Sequence, residues 1–203
     1  MIIGLSEPIH VETIAGSFTG PAVIVRAGAL HAVRPTATHA RVIYARSFSP
    51  LGLAWSKLGE GEDATSPPAA LSERLRSADN LAATLYELAA GCPTPSIDAR
   101  LCEALRRLRD VRADTVDVGE IAQAVGLSEP RLRALAAKQL GAPLSHWRLW
   151  FMLEEGLRSL GAGAPLATAA AEAGFSDQAH LSRTMRRFMG VTPRTAARAM
   201  ASR

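Results

Sequence analysis

Two stretches in the second half of the chain share one arrangement of residues: VGEIAQAVGLSEPRLRALAAKQLGAP (residues 118–143) and LATAAAEAGFSDQAHLSRTMRRFMGVTP (residues 166–193). Each reads as a short alanine-rich helix, a glycine with an apolar residue, a serine, and a second helix closed by Gly and Pro. Ser128 and Ser176, 48 residues apart, are predicted N-caps, because a serine hydroxyl accepts a free N–H of the first turn. The repeated pattern predicts two helix-turn-helix units.

The second helix of the later copy is predicted to be amphipathic. At 100° per residue, Leu181, Met185 and Phe188 share one side and face a core. The other surface and the helix start carry the candidate contact residues Ser176, Gln178, Ala179, His180, Arg183, Arg186 and Arg187. Arginine pairs with guanine and glutamine with adenine, while a small alanine leaves room for a thymine methyl group. Arg186 or Arg187 suits a phosphate.

The second helix of the earlier copy is predicted to bury Leu132, Leu135 and Leu140. Its outward residues are Ser128, Arg131, Arg133, Ala134 and Lys138. This face suits phosphates and one base, and it has fewer amide side chains than the later copy. An arginine-rich helix face is also typical of an ordinary solvated surface, and the duplication is what favours nucleic acid.

Between the two copies, SHWRLWFMLEEGLRSL (residues 145–160) predicts one long helix. Sixteen residues at 1.5 Å each give a rod of about 24 Å. Its aromatic and leucine side chains predict a spine packed against both units, rather than a platform on which single-stranded bases stack. Such a spine would hold two helices about one DNA turn apart, near 34 Å, for successive major grooves. Bending of the DNA is then expected.

The last 100 or so residues resemble the AraC/XylS family of bacterial transcription regulators, most closely at AAAEAGFSDQAHLSRTMRRFMGVTPRTAAR (residues 169–198). The resemblance implies two helix-turn-helix units on one long helix. It places Gln178, Ala179, His180 and Arg183 at base-contact positions of the second unit. In the first unit the corresponding positions are Ser128, Pro130, Arg131, Arg133 and Ala134. Pro130 and Ala134 depart from the larger polar or aromatic residues of the family.

Charge divides the chain unequally. Residues 1–95 carry 7 Lys+Arg against 8 Asp+Glu, whereas residues 96–203 carry 16 against 11. A basic second half favours a polyanionic partner. No apolar run is long enough for a membrane span, and the start does not resemble a signal peptide. With Cys92 and Cys102 interpreted as incidental thiols, a cytoplasmic protein is expected.

The first sixty residues predict short strands at residues 11–14, 22–25 and 41–44, separated by turn residues. GEGEDATSPP (residues 59–68) is interpreted as a linker. Helices are predicted at residues 71–77, 81–90 and 97–109, with GCPTPS (residues 91–96) as a connector. The fold class is therefore α+β, mainly α: a short β segment followed by an all-α domain.

Residues 20–31, ending at His31, are similar to the second cupin motif, with Arg26 where proline is expected. His31 is accordingly the candidate effector-binding residue. The remaining histidines do not supply the His-x-His of a cupin metal set, so no metal or other cofactor is expected. Sixty residues are few for a closed barrel. Either a partner chain completes a barrel, or the strands pack on the helices of residues 69–90.

The expected domains are residues 1–60 (a cupin-like sensor or dimerisation segment), 61–95 (a helical connector) and 96–203 (DNA binding, with units at 97–143 and 161–200). The leading hypothesis is a sequence-specific regulator that binds double-stranded DNA, without catalytic residues. RNA polymerase, a small-molecule effector and a second copy are further expected partners. The alternatives are a small cupin-type enzyme or ligand-binding protein with a structural helical half, and a DNA-repair or DNA-modifying enzyme that uses the helical module to find its target. The sequence leaves activation and repression open.

Overall fold

Short antiparallel strands are the main regular structure of the first 65 residues in the computed structural model, which describes residues 1–34, 39–93, 96–110 and 117–201. One sheet has the order β6-β1-β4-β7, and a three-stranded sheet has the order β3-β2-β5. The strands are β1 (Ile2–Gly4), β2 (Ile9–Thr13), β3 (Gly16–Gly20), β4 (Ala22–Val25), β5 (His31–Arg34), β6 (Ala40–Val42) and β7 (Ala64–Thr65). The three predicted strands correspond to β2, β4 and β6, and the other four were not predicted.

Three helices pack on these strands: α1 (Pro50–Leu58), α2 (Ala69–Arg76) and α3 (Leu81–Ala90). Buried Ile3 and Ile24 from the sheet share a core with Trp55 and Leu75, and leucines of α3 cover it. Of the two arrangements considered for the short β segment, the structure therefore matches the one in which strands pack on the helices of residues 69–90.

In this region one helix was not predicted, and one local prediction is wrong. Residues 50–58 are helical, because Ser49 caps α1 by accepting from the Gly52 N–H at 3.0 Å and Pro50 occupies the first turn. The segment predicted as a linker contains β7, which pairs with β4 and buries Ala64. The two-residue edge strand was missed because the residues around Ala64 are polar and have no strand-like pattern.

The described residues from 96 onward form the helices α4 (Ala99–Asp110), α5 (Val118–Ala124), α6 (Glu129–Leu140), α7 (Leu144–Gly161), α8 (Leu166–Glu172), α9 (Gln178–Met189) and α10 (Pro193–Ala201). The chain divides into two units, Met1–Ser96 and Ile97–Arg203. Together with the strands of the first unit, these helices confirm the predicted α+β fold class. The predicted connector at residues 91–96 lies partly outside the described residues, and the finer domain boundaries stay predictions.

The long helix α7 is the spine of the second unit. It packs against α4 and α6 and also against α8, α9 and α10. Trp147, Phe151 and Leu153 are buried in it, so these aromatics serve packing. None of the described helices has the length and apolar character needed to cross a bilayer.

Candidate nucleic-acid interface

The two predicted helix-turn-helix units share the backbone geometry of the turn glycine and of the residue after it. The turn glycines, Gly126 and Gly174, have φ of +69° and +79°, a left-handed backbone that side chains other than glycine rarely adopt. The next residue in each turn folds back: the Leu127 N–H donates to the Ala122 carbonyl and the Phe175 N–H to the Ala170 carbonyl, both at 2.9 Å. The duplication seen in the sequence is thus a duplication of backbone structure.

The second helices, α6 and α9, each have 12 residues and end at a glycine. They differ in where they start. Ser128 caps α6, as predicted, and its Oγ accepts from the Arg131 N–H at 3.4 Å. Ser176 does not cap α9. Asp177 does so instead, with Oδ1 accepting from the His180 N–H at 2.6 Å.

The later turn contains one residue more than the earlier turn, which explains the error at Ser176. Measured from the caps, each position in α6 corresponds to the position 49 residues later in α9. Leu132 therefore corresponds to Leu181, and both side chains are fully buried. Glu129 corresponds to Gln178. Aspartate is as good an N-cap as serine. In the sequence Ser-Asp-Gln either Ser176 or Asp177 could therefore have capped α9.

Helix α9 presents the predicted polar face. Gln178, Ala179, Arg183, Arg186 and Arg187 are exposed, whereas Leu181 and Met185 are buried. Thr184 is also buried, which the 100° periodicity of the helix did not lead us to predict. None of the three arginines has a carboxylate within 4 Å among the described residues, so each presents its full charge to solvent.

His180 is only half-exposed. Its ring lies edge-on to Phe175, with the ring centres 5.1 Å apart, and its Nδ1 is 3.2 Å from the Ser176 Oγ. Ser176 is exposed, so its hydroxyl and the His180 ring form one polar group beside the turn. Their predicted DNA contacts stay predictions.

Helix α6 also presents its predicted outward residues. Arg131, Arg133, Ala134 and Lys138 are exposed, and Leu132, Leu135 and Leu140 are buried. Arg133 differs from the arginines of α9 because it is already paired. Its Nε donates to the Glu129 Oε1 at 2.8 Å, and its Nη2 lies 2.6 Å from the same oxygen. Glu129 was not among the predicted site residues, although its spacing of four residues from Arg133 is a signal of a helical ion pair.

Helix α9 lies directly against the backbone of α7 at Gly156. A Cβ atom at Gly156 would lie 3.3 Å from the Leu181 Cδ1 and 3.5 Å from the Ala173 Cβ. At the start of α7, His146 packs on Phe188 of α9 with ring centres 4.5 Å apart. Burial, and then the charge of Arg187, lowers the pKa of His146. The spine therefore supports α9 along its inner side.

The spine is also tied to α4 in the first half of the unit. Arg109 lies over the Phe151 ring at 4.7 Å and its Nη2 donates to the Glu154 Oε2 at 3.2 Å. The Trp150 Nε1 donates to the other oxygen of Glu154 at 2.7 Å. These contacts join α4 to α7 near its middle.

Removal of the Asp177 cap is expected to destabilise α9. The His180 N–H has the largest effect on the pKa of Asp177 and lowers it. Burial opposes this effect and the Ala179 N–H adds to it, so the net result is a pKa below the usual 3.8. The cap's contribution to stability is therefore complete above the ordinary carboxyl pKa and is lost as pH falls through the lowered value. Asp177→Ala should lower the thermal unfolding midpoint by a few degrees at neutral pH. Asp177→Asn, which keeps the hydrogen bond, should retain most of the stability but lose its acid dependence; equal midpoints for all three proteins would contradict this role.

His31, the candidate effector residue, lies at the start of the edge strand β5 and is exposed, with Nδ1 2.9 Å from the Ala29 carbonyl. Across the described ranges no group of three or more His, Cys, Asp or Glu side chains is placed to hold a metal ion. A shallow pocket of about 300 Å³ is lined by Glu7, Pro8, His10 and Thr19, and His31 is not part of it.

Comparisons with known proteins found a family model that lies within the second unit, and two relatives that match about half of the chain. Residues 121–199 match a family model described as a helix-turn-helix domain. Over 101 residues, or 49% of this chain, the sequence is 33% identical to the arabinose operon regulatory protein of Salmonella typhimurium and 34% identical to that of Escherichia coli. The chain spans 36% and 35% of the lengths of these two relatives.

One solved structure resembles almost the whole chain. Apo ToxT from Vibrio cholerae, in a lysine-to-alanine variant, aligns with 98% of this chain and 88% of its own length, at a TM-score of 0.61 and 10% identity. At that identity the likeness concerns the fold alone, and it extends through both units.

Proposed function

We propose that this chain is a regulator of the AraC/XylS family, which binds double-stranded DNA at specific sequences and regulates transcription. The observation that supports this most is the exposed face of α9. It combines a glutamine with three arginines that have no carboxylate within 4 Å among the described residues. These groups can donate to base edges and to phosphates.

In this proposal α6 and α9 enter successive major grooves on one face of the duplex. The spine α7 has 18 residues and is therefore about 27 Å long, close to one turn of DNA. Because both helices are supported by one continuous helix, a single chain would bind two half-sites in the same orientation, about ten base pairs apart. Selection of bound sites from random duplexes tests this spacing.

The first unit is proposed to sense a small-molecule effector, with His31 as a candidate contact, and to contribute to a homodimer. RNA polymerase is a further proposed partner. A regulator of this kind acts in the cytoplasm and catalyses no reaction. The match to the arabinose operon regulatory proteins covers only 36% and 35% of their lengths, so no effector is carried over from them to this chain.

A salt titration tests DNA binding directly. We expect the affinity for mixed-sequence duplex to fall log-linearly with salt, with a slope of about −0.9 for each phosphate contacted, because arginines displace condensed counterions. The measurement is fluorescence anisotropy of a labelled duplex at several salt concentrations. The variant Arg186→Ala should reduce the slope by about one. Binding that is absent, or independent of salt, would refute the proposed function.

A further inference from the structure

The Glu129–Arg133 ion pair includes a carboxylate on a helix that is proposed to face DNA. A carboxylate there repels phosphates, so its presence calls for an explanation other than affinity. Exposed pairs of this kind contribute little to helix stability. Both side chains are about half-exposed, at 42% for Glu129 and 51% for Arg133. They are therefore available to a ligand.

The internal duplication shows which position Glu129 occupies. Counted from the caps, Glu129 corresponds to Gln178, the first residue of α9, which is a proposed base contact in the second unit. Glu129 thus lies at the equivalent place at the start of α6. The other oxygen of Glu129, Oε2, lies near the first turn of α5. A Cβ atom at Gly119 would be 3.5 Å from it.

The pairing changes what Arg133 can recognise. Glu129 offsets its charge, so the long-range attraction of Arg133 to phosphate is weakened. The guanidinium still has five donors in a fixed plane, and Glu129 accepts on the Nε and Nη2 side only. The remaining Nη donors can reach guanine O6 and N7, while the carboxylate can accept from the N4 amino group of cytosine.

We propose that Glu129 is a specificity-determining residue, which with Arg133 recognises a G·C base pair in the half-site bound by α6. This inference rests on the proposed function. It assigns different tasks to the two units. Helix α9, with three arginines that lack a carboxylate within 4 Å in the described part of the chain, supplies affinity. Helix α6 discriminates between sequences at the cost of some affinity.

The test compares the full-length chain with Glu129→Gln, which gives α6 the residue found at the equivalent place in α9. Binding is measured by anisotropy on random-sequence duplex and on a selected site with each base pair substituted in turn. Glu129→Gln should bind random duplex roughly three- to tenfold more tightly, with a salt slope steeper by about one, because Arg133 is released to phosphate. The preference for G·C at one position of the first half-site should decrease by a similar factor.

Two further variants separate this effect from a change in overall charge. Glu120→Gln removes an exposed carboxylate from the first turn of α5, and Glu120 has no arginine within 4 Å among the described residues. It should leave the base preference unchanged. Arg133→Ala in the Glu129→Gln background should return the affinity for random duplex toward the wild-type value. Thermal unfolding of each variant verifies that the fold is intact.

The outcomes distinguish the two proposals. If the wild-type chain selects two half-sites but Glu129→Gln keeps the same base preferences, the role of Glu129 is refuted and the proposed function stands. The same holds if Glu120→Gln and Glu129→Gln have equal effects. If the wild-type chain binds no duplex, both proposals are refuted.

Discussion

Leu181→Ala should lower the free energy of unfolding of the second unit by about 2–5 kcal/mol, the range for truncation of a fully buried leucine. Leu181 is inaccessible to solvent and belongs to the core that joins α7, α8 and α9. Its Cδ1 lies against Gly156 of the spine. The cavity left by the truncation would therefore loosen the helix proposed to supply most of the affinity. Chemical denaturation followed by circular dichroism measures the loss.

The matched control is Leu132→Ala, the equivalent substitution in α6, whose leucine is equally buried. It should cost a similar free energy. The two variants should differ in DNA binding at permissive temperature: Leu181→Ala loses the half-site contacted by α9, and Leu132→Ala loses the other. A loss below 1 kcal/mol for Leu181→Ala, at an unchanged denaturant dependence, would contradict the packing described for Gly156 and Leu181.

Arg183→Ala is expected to weaken binding to the selected site by about 1–3 kcal/mol, with the loss concentrated at one base pair. Arg183 is exposed on the outward face of α9. Its positive charge helps to lower the pKa of the capping carboxylate of Asp177. An arginine in this position has its donors free for guanine. The measurement is anisotropy on a series of sites with single base-pair changes.

Arg186→Ala provides the comparison, because Arg186 lies in the last turn of the same helix and is proposed to hold a phosphate. Its loss should weaken binding to all sequences by the same factor and reduce the salt slope by about one. If Arg183→Ala also weakened every sequence equally, Arg183 would be a phosphate contact and the base-reading assignment of α9 would be wrong.

The second unit was predictable from sequence because several local signals agreed. Glycine turns, leucines at helical spacing and glycine stops each independently predicted the same two units. The errors arose where two residue types satisfy one rule. Serine and aspartate both cap helices, so the additional residue in the later turn shifted the cap from Ser176 to Asp177. Glu129 escaped notice because an acidic side chain was not sought on a face interpreted as basic.

The first unit was less predictable for a physical reason. Its strands have two to five residues, too few for a clear alternation of apolar and polar side chains. Strands β1 and β7 depend on pairing with distant strands, which no local pattern reports. Helix α1 begins with Ser-Pro, a good start signal, but the glycine at position 52 obscured it. His31 was proposed from a motif alone, and its exposed position on β5 leaves its role a prediction.

The continuity of α7 also limits how such a protein can change its binding site. Each residue inserted into a helix rotates everything beyond it by about 100° and advances it by about 1.5 Å. A single insertion in the spine would turn α9 away from the groove that α6 still faces. Small insertions and deletions in the spine would therefore be expected to abolish binding by both helices at once, rather than to change the spacing between half-sites. New target sequences must come instead from side-chain replacement on α6 and α9, with the interval between the grooves inherited unchanged.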